Sequence, residues 1–196
     1  MTRLIGRRVM LRPLTVSDYV SFREVRMRNK AWLTKWEPSR TPGALDPAED
    51  RDTFAARCGG RERERQMGVG FGFGIFVSGQ FCGEINLNQV QRGPFQNAYV
   101  GYWIDERTAG QGYTPEACAV VFRHAFEDLH LHRLQISIIP RNTPSRRVVE
   151  KLRIRDEGIA ERYLEIDGVW EDHHRYAITS EEWTKRRDGF MTDWIS

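Results

Sequence analysis

The chain has 196 residues, of which 40% are hydrophobic, and a formal net charge of +3. This length suits one compact domain over 1–196 rather than two, and so small a charge does not by itself indicate direct nucleic-acid binding. No apolar run approaches the roughly 18 residues that cross a bilayer, and no signal-peptide pattern begins the chain, so we expect a cytoplasmic protein with no membrane partner.

The first third of the chain predicts one strand and three helices. The strand is expected near 7–12, and the helices near 16–28, 30–36 and 47–58. We interpret residues 38–50 and 58–68 as loops. The charges alternate in sign over Arg61–Arg65, which is typical of a solvated helix end or loop rather than a ligand site.

Three strands are expected next, near 69–77, 81–90 and 98–105, with Ser78-Gly79 forming a tight hairpin between the first two. Glu84 lies in the second of these strands. A carboxylate on a central strand usually has a specific role, and lining a substrate cleft is one such role. The alternative is an exposed strand glutamate.

The segment Arg107–Gly112 has the spacing Arg-x-x-Gly-x-Gly and precedes a helix expected near 114–129. Such a turn brings unpaired backbone N–H groups together at the positive end of the helix dipole, and this arrangement favours the binding of phosphate. A side chain at Gly110 or Gly112 would occupy that space and resist a positive φ. The segment has neither the Gly-Lys-Ser/Thr of a nucleotide loop nor the third glycine of a dinucleotide fingerprint. It therefore indicates another phosphorylated cofactor, or else an ordinary strand-to-helix turn.

The last third predicts a strand near 133–139, a helix near 144–153, a hairpin of strands near 158–166 and 170–179, and a helix near 180–187. Asn142 or Thr143 is a credible N-cap for the first helix. Two strand-to-helix crossovers combined with hairpins require a mixed α/β sheet.

Three cysteines, Cys58, Cys82 and Cys118, are widely separated and odd in number. They form neither a disulfide framework nor a zinc pattern, and we expect buried free thiols in a reducing cytosol. His130 and His132 near a helix end indicate dipole partners rather than metal ligands. No metal site is expected.

Together these segments resemble the GNAT N-acetyltransferases, and in particular the ribosomal-protein alanine N-acetyltransferases. Besides the glycine turn, the resemblance is carried by Asn142-x-x-Ser145 ahead of Glu150-Lys151-Leu152, by the hairpin 163–178, by 9–18 and by the aromatic segment 32–38. It covers about 5–182. It implies a GNAT fold, in which a mostly antiparallel mixed sheet of about seven strands is flanked by helices and splayed at its fourth and fifth strands.

The resemblance implies acetyl-CoA as co-substrate and direct attack of an amine on its thioester, without an acyl-enzyme. The expected cofactor-binding residues are Tyr102, Trp103, Ile104, Arg107, Gly110, Gln111, Gly112, Tyr113, Thr114, Asn142 and Ser145. Glu84 is the candidate general base, and the resemblance implies that Ser145 gives a proton to the thiolate. Trp32, Trp36 and Tyr163 are expected to shape the acceptor entrance, with plain core aromatics as the alternative.

The acceptor implied by the resemblance is a protein N-terminus. An α-amine with a pKa near 7.7–8.0 is already about one-tenth neutral at pH 7, so its deprotonation costs roughly 1 kcal/mol, against about 4–5 kcal/mol for a lysine. A modest base therefore suffices. A small amine such as an aminoglycoside, a non-catalytic acyl-CoA-binding module or a ribosome-associated factor remain alternatives, and the sequence leaves monomer and homodimer open.

One departure from the family pattern follows Leu152, where Arg153-Ile154 replaces the common Gly-Phe. A glycine there would end the helix in the left-handed conformation. An arginine in that conformation costs on the order of 1 kcal/mol. We therefore expect this helix to end differently.

Overall fold

The computed structural model describes residues 2–195. Eight strands of that range form one sheet, in the order β1-β2-β3-β4-β5-β6-β8-β7. Every neighbouring pair is antiparallel except β5 and β6, which are parallel. The fold class is as predicted, with one short strand more than expected. The strands are β1 (Leu4–Ile5), β2 (Val9–Arg12), β3 (Phe71–Val77), β4 (Gln80–Gln91), β5 (Asn97–Ile104), β6 (Arg133–Ile138), β7 (Arg155–Ile166) and β8 (Val169–Thr179).

Six α-helices of the described range flank the sheet. Short 3-10 turns precede α1 and α4, and α4 and α6 each continue into a π-helical turn, His124–Asp128 and Met191–Ile195. Within residues 2–195 there is no helix with the length and apolar character needed to span a membrane. The helices are α1 (Tyr19–Arg28), α2 (Lys30–Thr34), α3 (Arg51–Gln66), α4 (Tyr113–Arg123), α5 (Thr143–Lys151) and α6 (Ser180–Phe190).

The core has two parts, one on each face of the sheet. The larger packs α4 against the central strands, and it includes Val120 and Phe122 of α4 with Ile85 and Leu87 of β4. The smaller is aromatic and lies between the sheet and helices α1 and α3. Full burial of each such side chain contributes about 1.5–3 kcal/mol. Because both faces are covered, β3 is buried along almost its whole length, which explains its continuous apolar sequence.

The sheet splits between β5 and β6. Their parallel pairing extends only over Asn97–Tyr99 and Arg133–Gln135, whereas β4 stays paired with β5 as far as Ile104. The end of β5 therefore has a strand on one side only, and a wedge-shaped gap opens on the other. This is the splay predicted between strands 98–105 and 133–139.

Helix α3 is longer than predicted, and the loop expected at 58–68 is wrong. The helix starts where the side chain of Asp50 accepts a hydrogen bond from the Thr53 amide at 2.7 Å. It continues to Gln66 despite two central glycines. An i,i+3 ion pair between Arg61 and Glu64, at 2.9 Å, supports its last turns.

The end of α5 also differs from expectation, because Arg153 does adopt the left-handed conformation, with φ of 50°. The Ile154 amide donates to the Val149 carbonyl at 2.9 Å and the Arg153 amide to Glu150 at 3.0 Å. This is the glycine-type Schellman ending made without glycine. Arg186 of α6 donates to the Arg153 carbonyl at 3.0 Å and helps to hold it.

Candidate active site

A cavity of about 1000 Å³ occupies the gap where β5 leaves β6. Its walls come from β4, β5, the α1–α2 segment, α3, the turn before α4, and α5. Ligand pockets commonly measure about 300–1000 Å³. The cavity is therefore large enough for a cofactor tail and an acceptor to meet inside it.

One end of the cavity is the glycine turn. Gly110 and Gly112 have φ of 79° and 86°, and Gly112 is the N-cap of α4. The first N–H groups of a helix have no partner within it, so this end presents amide donors and a positive dipole end. Both glycines line the cavity with Tyr113 and Thr114.

The other two residues expected in this turn lie outside the cavity lining. Arg107 is exposed, and its backbone amide donates to Asp105 at 3.3 Å. The carbonyl of Gln111 accepts a hydrogen bond from Arg8 at 3.0 Å. Arg8 is also paired with the buried Glu116 of α4 at 2.9 Å. Arg8 therefore links the glycine turn to α4.

A buried carboxylate anchors the start of the turn. Asp105 accepts hydrogen bonds from Arg28 at 2.5 Å and from the side-chain amide N–H of Asn29 at 2.7 Å. The side-chain oxygen of Asn29 accepts from the Glu106 backbone amide at 2.9 Å. Burial acts to raise the pKa of Asp105, but these hydrogen bonds and the Arg28 charge outweigh it and leave the pKa lowered. The turn is thereby tied to the junction of α1 and α2.

Glu84 lies on β4 and faces the cavity with only 4% of its surface exposed. The alternative of an exposed strand glutamate is therefore wrong. One carboxylate oxygen accepts from Arg57 at 2.7 Å and the other from the indole N–H of Trp103 at 3.0 Å. Arg26 lies over the Trp103 ring, 5.0 Å from its centroid. These partners hold the carboxylate in one orientation.

Asn142, Ser145 and Tyr102 meet at the middle of the cavity. The Asn142 side chain caps α5 by accepting from the Ser145 amide at 3.2 Å. The Ser145 hydroxyl lies 3.0 Å from the Tyr102 hydroxyl, which also donates to the Ser145 carbonyl at 3.2 Å. Burial raises the pKa of Tyr102, so its hydroxyl keeps its proton. Trp103 and Ile104 complete this part of the lining.

The far end of the cavity is aromatic. Trp32 and Trp36 line it together with Phe22 and Leu33, and the Arg141 guanidinium lies 5.0 Å from the Trp36 ring centroid. The structure brings both predicted tryptophans to the cavity.

Tyr163 does not belong to the lining of this cavity. Its ring packs edge-on against His173, at 5.8 Å between centroids, and beneath the Arg175 guanidinium at 5.4 Å. The structure thus separates it from the two tryptophans with which it was grouped.

Three carboxylates line the cavity, and each is paired with an arginine. The pairs are Glu84–Arg57 at 2.7 Å, Glu37–Arg26 at 2.7 Å and Asp46–Arg40 at 2.6 Å. None of these three arginines was predicted from the sequence. The only sequence signal for them was the four-residue spacing of Arg57 and Arg61, which places both on one helix face. This spacing crosses the position at which the helix was predicted to end.

The histidines and cysteines stand apart from this site. His132 pairs with Glu181 at 3.1 Å, and the three cysteines are unpaired, with Cys82 and Cys118 buried and Cys58 only partly so. Within residues 2–195, His, Cys, Asp and Glu side chains form no group of three or more that could hold a metal ion.

A mixed sheet that splits beside a helix capped by glycine is typical of the acetyltransferase class of fold. Comparison with known proteins gives the same class. Residues 8–155 match the family model described as acetyltransferase (GNAT) domain. The chain is 32% identical to a probable N-acetyltransferase, YjcK, of Bacillus subtilis over 89% of this chain and 96% of that one. It is 31% identical to the ribosomal protein uS5-alanine N-acetyltransferase of Escherichia coli over 94% of each chain.

Solved structures give the same result. The RimJ of Mycobacterium smegmatis, in complex with CoA-disulfide, superposes with a TM-score of 0.87 at 31% identity, covering 97% of this chain and 92% of that one. The chain belongs to the GNAT acetyltransferase family. It is an N-acetyltransferase, as the resemblance in its motifs predicted.

Proposed function

We propose that this enzyme transfers the acetyl group of acetyl-CoA to the N-terminal α-amine of a protein. The observation that carries the proposal is a single cavity with amide donors at one end, a held carboxylate and two hydroxyls at its centre, and tryptophans at the other end. Similarity to a relative named ribosomal protein uS5-alanine N-acetyltransferase supports this acceptor class.

The residues at the glycine turn fit the diphosphate of acetyl-CoA. The open space beside Gly110, where an added Cβ would meet nothing within 4 Å, gives an anion access to the amides of the turn. Asn142 would hydrogen-bond the pantetheine arm along the unpaired edge of β5, between Tyr102 and Trp103. Arg107 and Gln111 would contribute through the backbone of the turn and its positive field.

The charge of the acceptor half favours a peptide over an aminoglycoside. This half is the part of the cavity lined by residues 22–61 and β4, and each of its three carboxylates, Glu37, Asp46 and Glu84, is already paired with an arginine. A polycationic antibiotic would find no unpaired carboxylate there. A peptide presents a single ionisable amine whose deprotonation costs roughly 1 kcal/mol.

In the proposed reaction the neutral amine attacks the thioester carbonyl, so that the C–N bond forms and the C–S bond breaks. Glu84 receives the amine proton through a water molecule, because its oxygens face the cavity but are held by Arg57 and Trp103. Ser145 supplies the proton that the departing sulfur needs. No covalent bond to the protein forms.

The test is a panel of acceptors incubated with acetyl-CoA: short peptides with different first residues, a lysine peptide blocked at its N-terminus, and an aminoglycoside. Release of CoA thiol with peptides alone, and mass spectrometry that locates the acetyl group on the α-amine, is the expected result. Turnover of only the aminoglycoside would contradict the acceptor assignment. Binding of acetyl-CoA without thiol release for any amine would support a non-catalytic binding module.

A further inference from the structure

The two strands that diverge to form the cavity are bridged again by a pair of hydroxyls. Tyr102 lies on β5, and Ser145 lies in the first turn of α5, which follows β6. The Ser145 hydroxyl donates to the Tyr102 oxygen at 3.0 Å, and the Tyr102 hydroxyl donates to the Ser145 carbonyl at 3.2 Å. The contact therefore spans the gap at the level of the cavity.

We propose that Tyr102 is a positioning residue that fixes the Ser145 oxygen beside the departing thiolate, so that the two hydroxyls act as one hydrogen-bond chain. This inference rests on the proposed function. A serine hydroxyl alone has three staggered positions about χ1 and competes for bonds to the nearby backbone. A fixed partner on the opposite wall selects one of these positions before the reaction begins.

The proton balance of the step is simple. As the C–S bond breaks, negative charge develops on sulfur, and the Ser145 O–H turns from the Tyr102 oxygen to the sulfur and gives it the proton. The Tyr102 O–H turns from the Ser145 carbonyl to the Ser145 oxygen and passes its proton there, so that no serine alkoxide persists. Solvent returns a proton to Tyr102 once the products leave, and burial, which raises the pKa of Tyr102, favours this return.

The surroundings of Tyr102 make it suitable for this task. Its ring packs against the main hydrophobic cluster while the residue lines the cavity, so its hydroxyl is fixed at the end of a rigid support. Preorganised donors aimed at developing charge lower a barrier more than mobile ones do. Ser145 is fixed from its other side, because its amide donates to Asn142 at 3.2 Å.

The test uses Tyr102→Phe, Ser145→Ala and the double variant, with Tyr99→Phe on the same strand as the matched control. Tyr99 is absent from the cavity lining. We expect Tyr102→Phe to lower kcat about tenfold, the effect of one lost hydrogen bond, with KM for acetyl-CoA within twofold, and the double variant to be no slower than Ser145→Ala. Losses of kcat that multiply in the double variant would overturn the proposal. So would a Tyr102→Phe variant that changes only KM, or one that keeps the wild-type kcat.

A second variant covers the case in which Tyr102→Phe fails to fold. Replacement of Tyr102 by 3-fluorotyrosine preserves the ring and makes the hydroxyl a stronger donor, so kcat is expected to change while KM does not. An unchanged kcat would overturn the proposal. The two failures are distinguishable, because inactivity of the wild type toward every amine removes the proposed function, whereas an active wild type with an equally active Tyr102→Phe removes only the hydroxyl chain.

Discussion

Glu84 and Glu127 are held by the same pair of partner types at two unrelated places in the fold. Glu84 accepts from an indole N–H at 3.0 Å and a guanidinium at 2.7 Å. Glu127 accepts from Trp183 at 3.1 Å and Arg187 at 2.7 Å. Of these two carboxylates only Glu84 faces the cavity, so variants at both sites can separate the catalytic role proposed for Glu84 from a structural one.

Replacement of Glu84 by Gln is expected to lower kcat by about a hundredfold, the usual effect of losing a general base, with little change in the affinity for acetyl-CoA. Glu127→Gln breaks the matching arrangement away from the site and should leave kcat unchanged. Steady-state kinetics on both variants provide the measurement. Equal losses in the two variants would assign Glu84 a structural role.

Replacement of Trp32 by Ala is expected to raise KM for a peptide acceptor about tenfold, because a large side chain at the acceptor end of the cavity is lost. KM for acetyl-CoA should stay the same. Trp170, which is 61% exposed, provides the control substitution Trp170→Ala. A peptide KM that is unaffected by Trp32→Ala would place the acceptor elsewhere.

Replacement of Asp105 by Asn tests the anchor of the glycine turn. Because the folded-state pKa of Asp105 is lowered, its stabilisation is present above the unfolded pKa of about 3.9 and is lost as the pH falls through the folded value. The variant should lose about 2 kcal/mol of unfolding free energy at pH 7, and the difference from wild type should shrink toward pH 3. Urea unfolding at both pH values measures it.

The exposed Asp188 gives the matching control, Asp188→Asn, which should behave as wild type at both values of pH. A difference for Asp105→Asn that stays constant between pH 7 and pH 3 would contradict the account, since it would mean that the charge of Asp105 contributes nothing.

Replacement of Arg153 by Gly should stabilise the protein by about 1 kcal/mol, because it relieves the left-handed conformation at φ of 50°. For a chain of this size that raises Tm by about 2–4 °C. Glu150→Gly, inside the same helix, should instead destabilise by about 1 kcal/mol. Calorimetry that shows Arg153→Gly to be the less stable variant would contradict this explanation.

Local signals in the sequence predicted most of the fold and one end of the site. The glycine turn, the Asn142 cap and the hairpin of strands near 158–166 and 170–179 each depend on residues close to one another in the chain, so they could be predicted directly. The splayed strands followed from the family resemblance and not from periodicity.

Long-range packing accounts for what the sequence did not predict. Arg57 lies within the predicted helix 47–58, but its contact with Glu84 joins that helix to β4, and no local pattern in the sequence indicates it. Tyr163 was placed at the acceptor entrance, yet β7 changes register against β8 between Ala160 and Leu164, and Arg162 has φ of 45°. Such a bulge reverses which face a side chain occupies, and nothing in the local sequence indicates it.

The central claim is that the glycine turn before α4 binds the diphosphate of acetyl-CoA, and two glycines of the chain allow a direct test. Gly110 and Gly79 have φ of 79° and 81°, and an added Cβ at either meets nothing within 4 Å, so Gly110→Asp and Gly79→Asp carry the same backbone strain. Only Gly110 lines the cavity. Calorimetric titration with acetyl-CoA should show Kd raised at least about tenfold in Gly110→Asp, where a carboxylate meets the diphosphate, and unchanged in Gly79→Asp. Wild-type affinity in Gly110→Asp would contradict the account.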